Sequence, residues 1–198
     1  MCAPSCAEEC AAYDRDPLLY DTKLTASGER QASKLAARVE RLHPPPQLLV
    51  ASPLRRALRT ADLAFADAAL PRLVTPLCRE RLYHSSDVGR APGVVAAEFT
   101  AWKGFDQLQP VWWHTANGEG EQPDPLAHDP EPEDVFLQRC LRFRDWLSAR
   151  PESCIAVVSH WGVIEALTCT EFSNCELRTY QLEELGVRAP RECLVPPG

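Results

Sequence analysis

Residues 155–162 read IAVVSHWG. Four apolar residues, Ile155 to Val158, lead into Ser159, His160, Trp161 and Gly162. A short apolar run without polar alternation fits a strand buried on both faces, as in a parallel sheet. Polar residues just beyond its carboxyl end stand where open α/β sheets bind ligands. Residues 48–56, LLVASPLRR, have the same form: an apolar run, then Ser52 and Arg56.

Working outward, apolar periodicity predicts a helix over 25–42, with Ala32, Leu35, Ala36, Val39 and Leu42 on one face and Thr25 as cap. His43 and the prolines at 44–46 end it. A strand follows at 47–51. Ser52 and Pro53 read as N-cap and first-turn proline of a helix over 54–69. Further strands are expected at 72–76, 154–159 and 178–182, and helices at 133–150 and 163–168. In the first of these helices Val135, Phe136, Cys140, Phe143, Trp146 and Leu147 face inward. Between them, 83–132 is rich in proline, glycine and tryptophan and reads as an inserted, loop-rich lobe, mobile around 117–132. Residues 1–16 read as a disordered or atypical terminus before one domain spanning 17–198. The fold class is α/β, a mainly parallel sheet with helices on both faces.

Composition bounds the function. A net charge of −7 argues against broad attraction to nucleic acid or an anionic membrane. No apolar run approaches the ~20 residues of a membrane span. The opening MCAPSCAEEC has no basic leader or apolar core, so it does not read as a secretory signal. The expected location is cytoplasmic, with the nine cysteines reduced; an upstream targeting segment stays open if the chain is truncated. Cys2, Cys6 and Cys10 fall on one helical face, but there is no CxxC pair and no histidine before His43. A frayed terminus is the preferred reading over a metal site, and no metal or cofactor is expected.

Three residues carry candidate chemistry. Arg56, in the first turn of a helix, offers a fork of donors matched to phosphate oxygens; as sequence alone, a solvated basic face is equally good, and it is preferred for Arg55 and Arg59. His160 reads as catalytic or as a structural histidine at a strand end, and Gly162 lets the backbone turn tightly beside a ligand. Glu80, in LCRE, reads as a proton donor or as a surface charge.

The ordered set YDTKLTASGERQA, VASPLRRALRTA, LCRERL, IAVVSHWGV and NCELR resembles the histidine phosphatase superfamily, the phosphoglycerate mutase-like fold, and within it the plant-type mutase-like branch. The resemblance runs from about residue 17 to 182. It implies that Arg56 grips a phosphoryl group, that His160 stabilises its charge in transfer, and that Glu80 protonates the leaving oxygen, with no metal. It also implies a phospho-accepting histidine within Arg-His-Gly at the end of a first, central strand. This chain has no such motif, and the first, central strand itself is expected to be doubtful or missing: the five histidines are His43, His84, His114, His128 and His160, and none precedes a glycine. A truncated gene model is favoured over a degenerate family member, because the other motifs are intact. Trp161 departs from the small residue usual there; it either crowds the pocket or turns into the core. The implied function is action on a small phosphate ester, impaired or absent without the nucleophile. The alternative is a non-catalytic phosphate-ester-binding or interaction module on the same fold.

Overall fold

The computed structural model describes residue 16 and residues 18–115 and 129–190. Cys2, Cys6 and Cys10, nearly all of the 1–16 terminus, and 117–128 of the stretch expected to be mobile lie outside the described residues.

The segment 25–42 forms α1, Ala26–Val39, and the Thr25 hydroxyl accepts from the Gly28 amide as its N-cap. Next come β1, Leu48–Ala51, and α2, Arg55–Ala64. β2 is Arg72–Val74, and a 3₁₀ turn, Pro76–Cys78, follows it. Within the lobe, α3 is Pro92–Glu98. The chain then makes α4, Glu133–Ser148, β3, Ile155–Val158, and α5, Trp161–Thr168.

The three strands form one parallel sheet in the order β2-β1-β3. Parallel pairing follows from crossovers built on helices, which also cover both faces. On one face α1 and α2 supply Leu35, Val39, Leu58 and Ala61 to a cluster with Leu49 and Ala51. On the other, α4 and α5 supply Phe136, Phe143, Leu147, Val163 and Leu167 around Leu48 and Val50. Each such large apolar side chain contributes about 2–3 kcal/mol on burial. β1 is buried at all four positions, as a central strand should be. The outer side of β2 is covered by a bridge from Leu73 to Lys103. The outer side of β3 has no strand partner among the described residues, and Val157 stands 37% exposed there.

The lobe packs more closely than its composition suggests. Val95, Phe99, Trp102 and Phe105 join the α1–α2 cluster. The Trp102 indole donates to Asp62 on α2. Trp112 packs on Gly89, where a Cβ would come within 2.2 Å of its ring, and donates to the Arg90 carbonyl.

Several expectations need correction. Ser52 does not cap α2: the N-cap is Leu54, and the Ser52 hydroxyl accepts from the Leu54 amide in the turn before it. α2 stops at Ala64 rather than 69, because the chain turns there to bring Arg72 onto Asp62 and the Phe65 carbonyl. Residues 178–182 form no strand; Arg178 and Glu176 pair with each other, and a 3₁₀ turn, Leu182–Glu184, follows. Val135 is 37% exposed rather than inward, while Phe136 and Phe143 are buried as read. Arg55 is no solvated charge: its side chain is 13% exposed and pairs with the fully buried Asp21. Arg59 is exposed and pairs with Glu29.

Glu131 is fully buried and bound by Arg79 and Arg139 together. Those hydrogen bonds hold its carboxyl down at about 2, against an ordinary 4.5, despite the burial that opposes them. A carboxyl depressed in the folded state adds stability above its unfolded value, and that stability is lost as pH falls through 4.5 toward 2. Glu131→Gln is expected to destabilise the fold by roughly 3–5 kcal/mol, since it leaves two buried guanidinium groups poorly paired. Thermal unfolding followed from pH 7 to 2 checks both points: the variant should lose the acid-dependent fall that Glu131 contributes.

Candidate functional site

The carboxyl ends of β1 and β3 lie side by side, since Ala51 pairs with Val158 and the Ser52 amide donates to the Val158 carbonyl. The chain leaves β1 into α2 and leaves β3 into α5, so two helix N-termini open at the same end of the sheet. Arg56 is the second residue of α2; His160 is the N-cap of α5. Glu80 arrives from the loop after the 3₁₀ turn that follows β2.

The loop bearing Glu80 is held by Arg139 of α4. Its guanidinium donates to the carbonyls of Leu77, Arg79 and Glu80, and at the same time to Glu131. Irregular backbone inside a protein needs partners for its carbonyls, and here one side chain supplies three. The Glu80 carboxylate then reaches the start of α5. Its oxygens accept from the Arg81 amide at 2.9 Å and the Gly162 amide at 3.4 Å. Burial pushes its carboxyl above the ordinary range, and the nearby Asp87 charge adds to this.

Gly162 has no positive φ, so the turn freedom expected of it is not what the site uses. It is the room that matters: a Cβ at 162 would stand 2.5 Å from a Glu80 oxygen. Trp161 neither enters the core nor is buried; it is 50% exposed at the first position of α5.

His160 is 8% exposed, and its Nε2 has no hydrogen-bond partner among the described residues. Burial first, and then the charges of Arg56 and Arg139, lower its pKa well below the usual value, so the imidazole is neutral at pH 7. Arg56 donates to the Ser86 carbonyl at 2.6 Å and to Asp87 Oδ1 at 2.7 Å. The structure therefore brings the predicted Arg56, Glu80 and His160 to one end of the sheet, where the Arg56 charge acts on both other groups and the Gly162 amide meets Glu80. Residue-by-residue reading missed Asp87 and Arg139, because a carboxylate in a loop and an arginine on a helix give no local signal of what they will meet. Two clefts, of about 520 and 670 Å³, lie elsewhere along β2 and the Lys103 segment, and neither includes these three residues.

The family model for the histidine phosphatase superfamily (branch 1) matches residues 19–188. No curated protein matches the chain. Among solved structures, the alpha-ribazole phosphatase from Shigella flexneri is 29% identical; the match covers 74% of this chain and 65% of that one, with a TM-score of 0.47. A mycobacterial glucosyl-3-phosphoglycerate phosphatase is 22% identical over 76% of this chain and 69% of its own, TM-score 0.45. Phosphoglycerate mutase from Thermus thermophilus is 24% identical over 80% and 77%, TM-score 0.42. The chain thus spans 65% of the length of the alpha-ribazole phosphatase.

Gly162→Ala is expected to move the Glu80 carboxylate off the Arg81 and Gly162 amides, at a cost of about 1–3 kcal/mol from crowding a packed site. Thermal melts of Gly162→Ala alone and combined with Glu80→Ala check this. In the Glu80→Ala background the penalty should shrink, because the clashing oxygen is gone.

Proposed function

The chain belongs to the histidine phosphatase superfamily, branch 1, and from that footing we propose that Arg56, His160 and Glu80 form a pocket for the phosphoryl group of a small phosphate monoester. The observation that carries this reading is the Nε2 of a buried, neutral His160, without a partner among the described residues and under the influence of two arginine charges. A buried polar atom without a partner is costly and uncommon, and a phosphate oxygen is the acceptor an Nε2–H lacks. Arg56 brings a planar fork suited to two phosphate oxygens. The start of α5 adds the positive end of a helix dipole, although the Gly162 amide itself is given to Glu80.

Each group has a role in phosphoryl transfer, which depends mainly on positioning and charge neutralisation. Arg56 holds the equatorial oxygens. His160 donates from Nε2 and takes up a proton as negative charge comes close. Glu80, whose pKa burial pushes up, donates a proton to the leaving ester oxygen. What these 198 residues do not contain is a histidine followed by glycine, the expected phospho-acceptor. On this reading the chain binds the ester and turns it over at background level. A non-catalytic phosphate-ester module is the second reading, favoured by the same absence, and the partner in either case is a small anionic ester.

Calorimetric titration with inorganic phosphate and glycerol phosphate is expected to show millimolar or tighter binding, with His160→Ala and Arg56→Ala each weakening it at least tenfold, the scale of one lost charge-assisted hydrogen bond. Absence of binding by the wild-type chain sinks the reading. Binding should also draw protons from solution at pH 7, since the anion raises the depressed His160 pKa; titrations in buffers of different ionisation enthalpy read this directly. Hydrolysis of an aryl phosphate well above background, lost in Arg56→Ala, would overturn the proposed lack of turnover.

A further inference from the structure

Asp87 sits at the junction between the lobe and the site and is 7% exposed. Its two carboxylate oxygens do different things. Oδ2 accepts from the amides of Tyr83 and His84, at 3.3 and 3.2 Å, so the carboxylate is fixed to its own turn. Oδ1 accepts from Arg56 Nη2 at 2.7 Å. The Ser86 carbonyl takes Nη1 at 2.6 Å, so adjacent residues of one 3₁₀ turn, Ser85–Asp87, grip both terminal nitrogens of the fork. The turn is itself tied down, because Asp16 accepts from both the amide and the hydroxyl of Ser85. The Arg56 Nε–H and one N–H on each terminal nitrogen have no partner among the described residues.

We propose that Asp87 is a positioning residue: anchored by the Tyr83 and His84 amides, it sets the plane of the Arg56 guanidinium so that its unused N–H groups face the phosphoryl group beside His160. This rests on the phosphate reading above. A long, flexible arginine that must find its geometry on binding loses rotamer entropy at that moment; one already held by two acceptors has lost it on folding. The 2.6 and 2.7 Å contacts are charge-assisted, with the Arg56 and Asp87 side chains only 21% and 9% exposed, so solvent does little to loosen them. The arrangement also explains why a carboxylate is tolerated so close to an anion site: its charge is taken up by Arg56 and two amides.

A double-mutant cycle on inorganic phosphate binding tests this. Asp87→Asn cannot accept on both sides, because one amide position becomes a donor. In the wild-type background it is expected to weaken phosphate binding about tenfold, the scale of a lost charge-assisted contact. In an Arg56→Lys background, where no fork remains to be oriented, the change should be under about twofold. Any gain from removing a like charge is common to both backgrounds and cancels in the cycle. Equal effects in the two backgrounds overturn the proposal, since a merely structural Asp87 would act in both. If wild type itself binds no phosphate, the phosphate reading fails and this inference with it; if wild type binds and the cycle is additive, only the role of Asp87 fails. Should Asp87→Asn not fold, side-chain NMR of ligand-free wild type decides. Slow rotation about the Arg56 Cζ–Nε bond, with distinct Nη signals, is expected, and a freely rotating guanidinium overturns the proposal.

Discussion

The buried triad of Arg79, Glu131 and Arg139 is the constraint on which the site depends. Glu131 is fully buried and the two arginine side chains are 3% and 2% exposed, so none of the three charges has solvent to fall back on. Such a cluster is tolerable only when its hydrogen bonds are nearly complete. Here they are used twice over. Arg139 stacks near the Phe136 ring, binds Glu131, and gives further N–H groups to the carbonyls of the 77–80 loop. Arg81 closes the same loop by donating to the Glu131 carbonyl. A segment with little regular structure is thereby made rigid, and Glu80 rides on it.

From that rigidity the chemistry of the site follows. A carboxyl on a mobile loop would reach water and keep its ordinary acidity; held against the α5 N-terminus and cut off from solvent, Glu80 has its pKa pushed up. The same low-dielectric surroundings, with arginine charges close by, keep His160 neutral. Two groups at one strand end are thus both driven toward their uncharged forms, the acid toward protonated and the base toward unprotonated. Arg56, clamped on the turn at 85–87, supplies the fixed positive charge.

Much of this was legible in the chain. The apolar runs at 48–51 and 155–158 announced parallel strands, SPLRR and SHWG placed polar residues just after them, and LCRE placed Glu80 beyond the run at 72–76. The errors share a cause. Ser52-Pro53 has ideal helix-start chemistry, yet the N-cap falls at Leu54, two residues beyond Ser52, where the Arg55 amide and side chain both meet the buried Asp21. Gly162 was read for backbone freedom, whereas its missing Cβ makes room for a carboxylate from 82 residues away in sequence. The 178–182 segment has strand composition but finds no strand to pair with among the described residues.

Periodicity and local turn chemistry are short-range properties, so the chain alone was enough for the α/β class, most of each helix face and the candidates Arg56, Glu80 and His160. It also determined that no histidine here precedes a glycine. It took the folded chain to show that Glu80 meets Gly162, that Asp87 grips Arg56, and that Glu131, from a stretch expected to be mobile, anchors the loop carrying Glu80. Those pairings join residues 31 to 82 positions apart. Their strength comes from hydrogen bonds made in low-dielectric surroundings, which offset the cost of taking polar groups out of water, and that is a property of the folded arrangement and not of any local stretch.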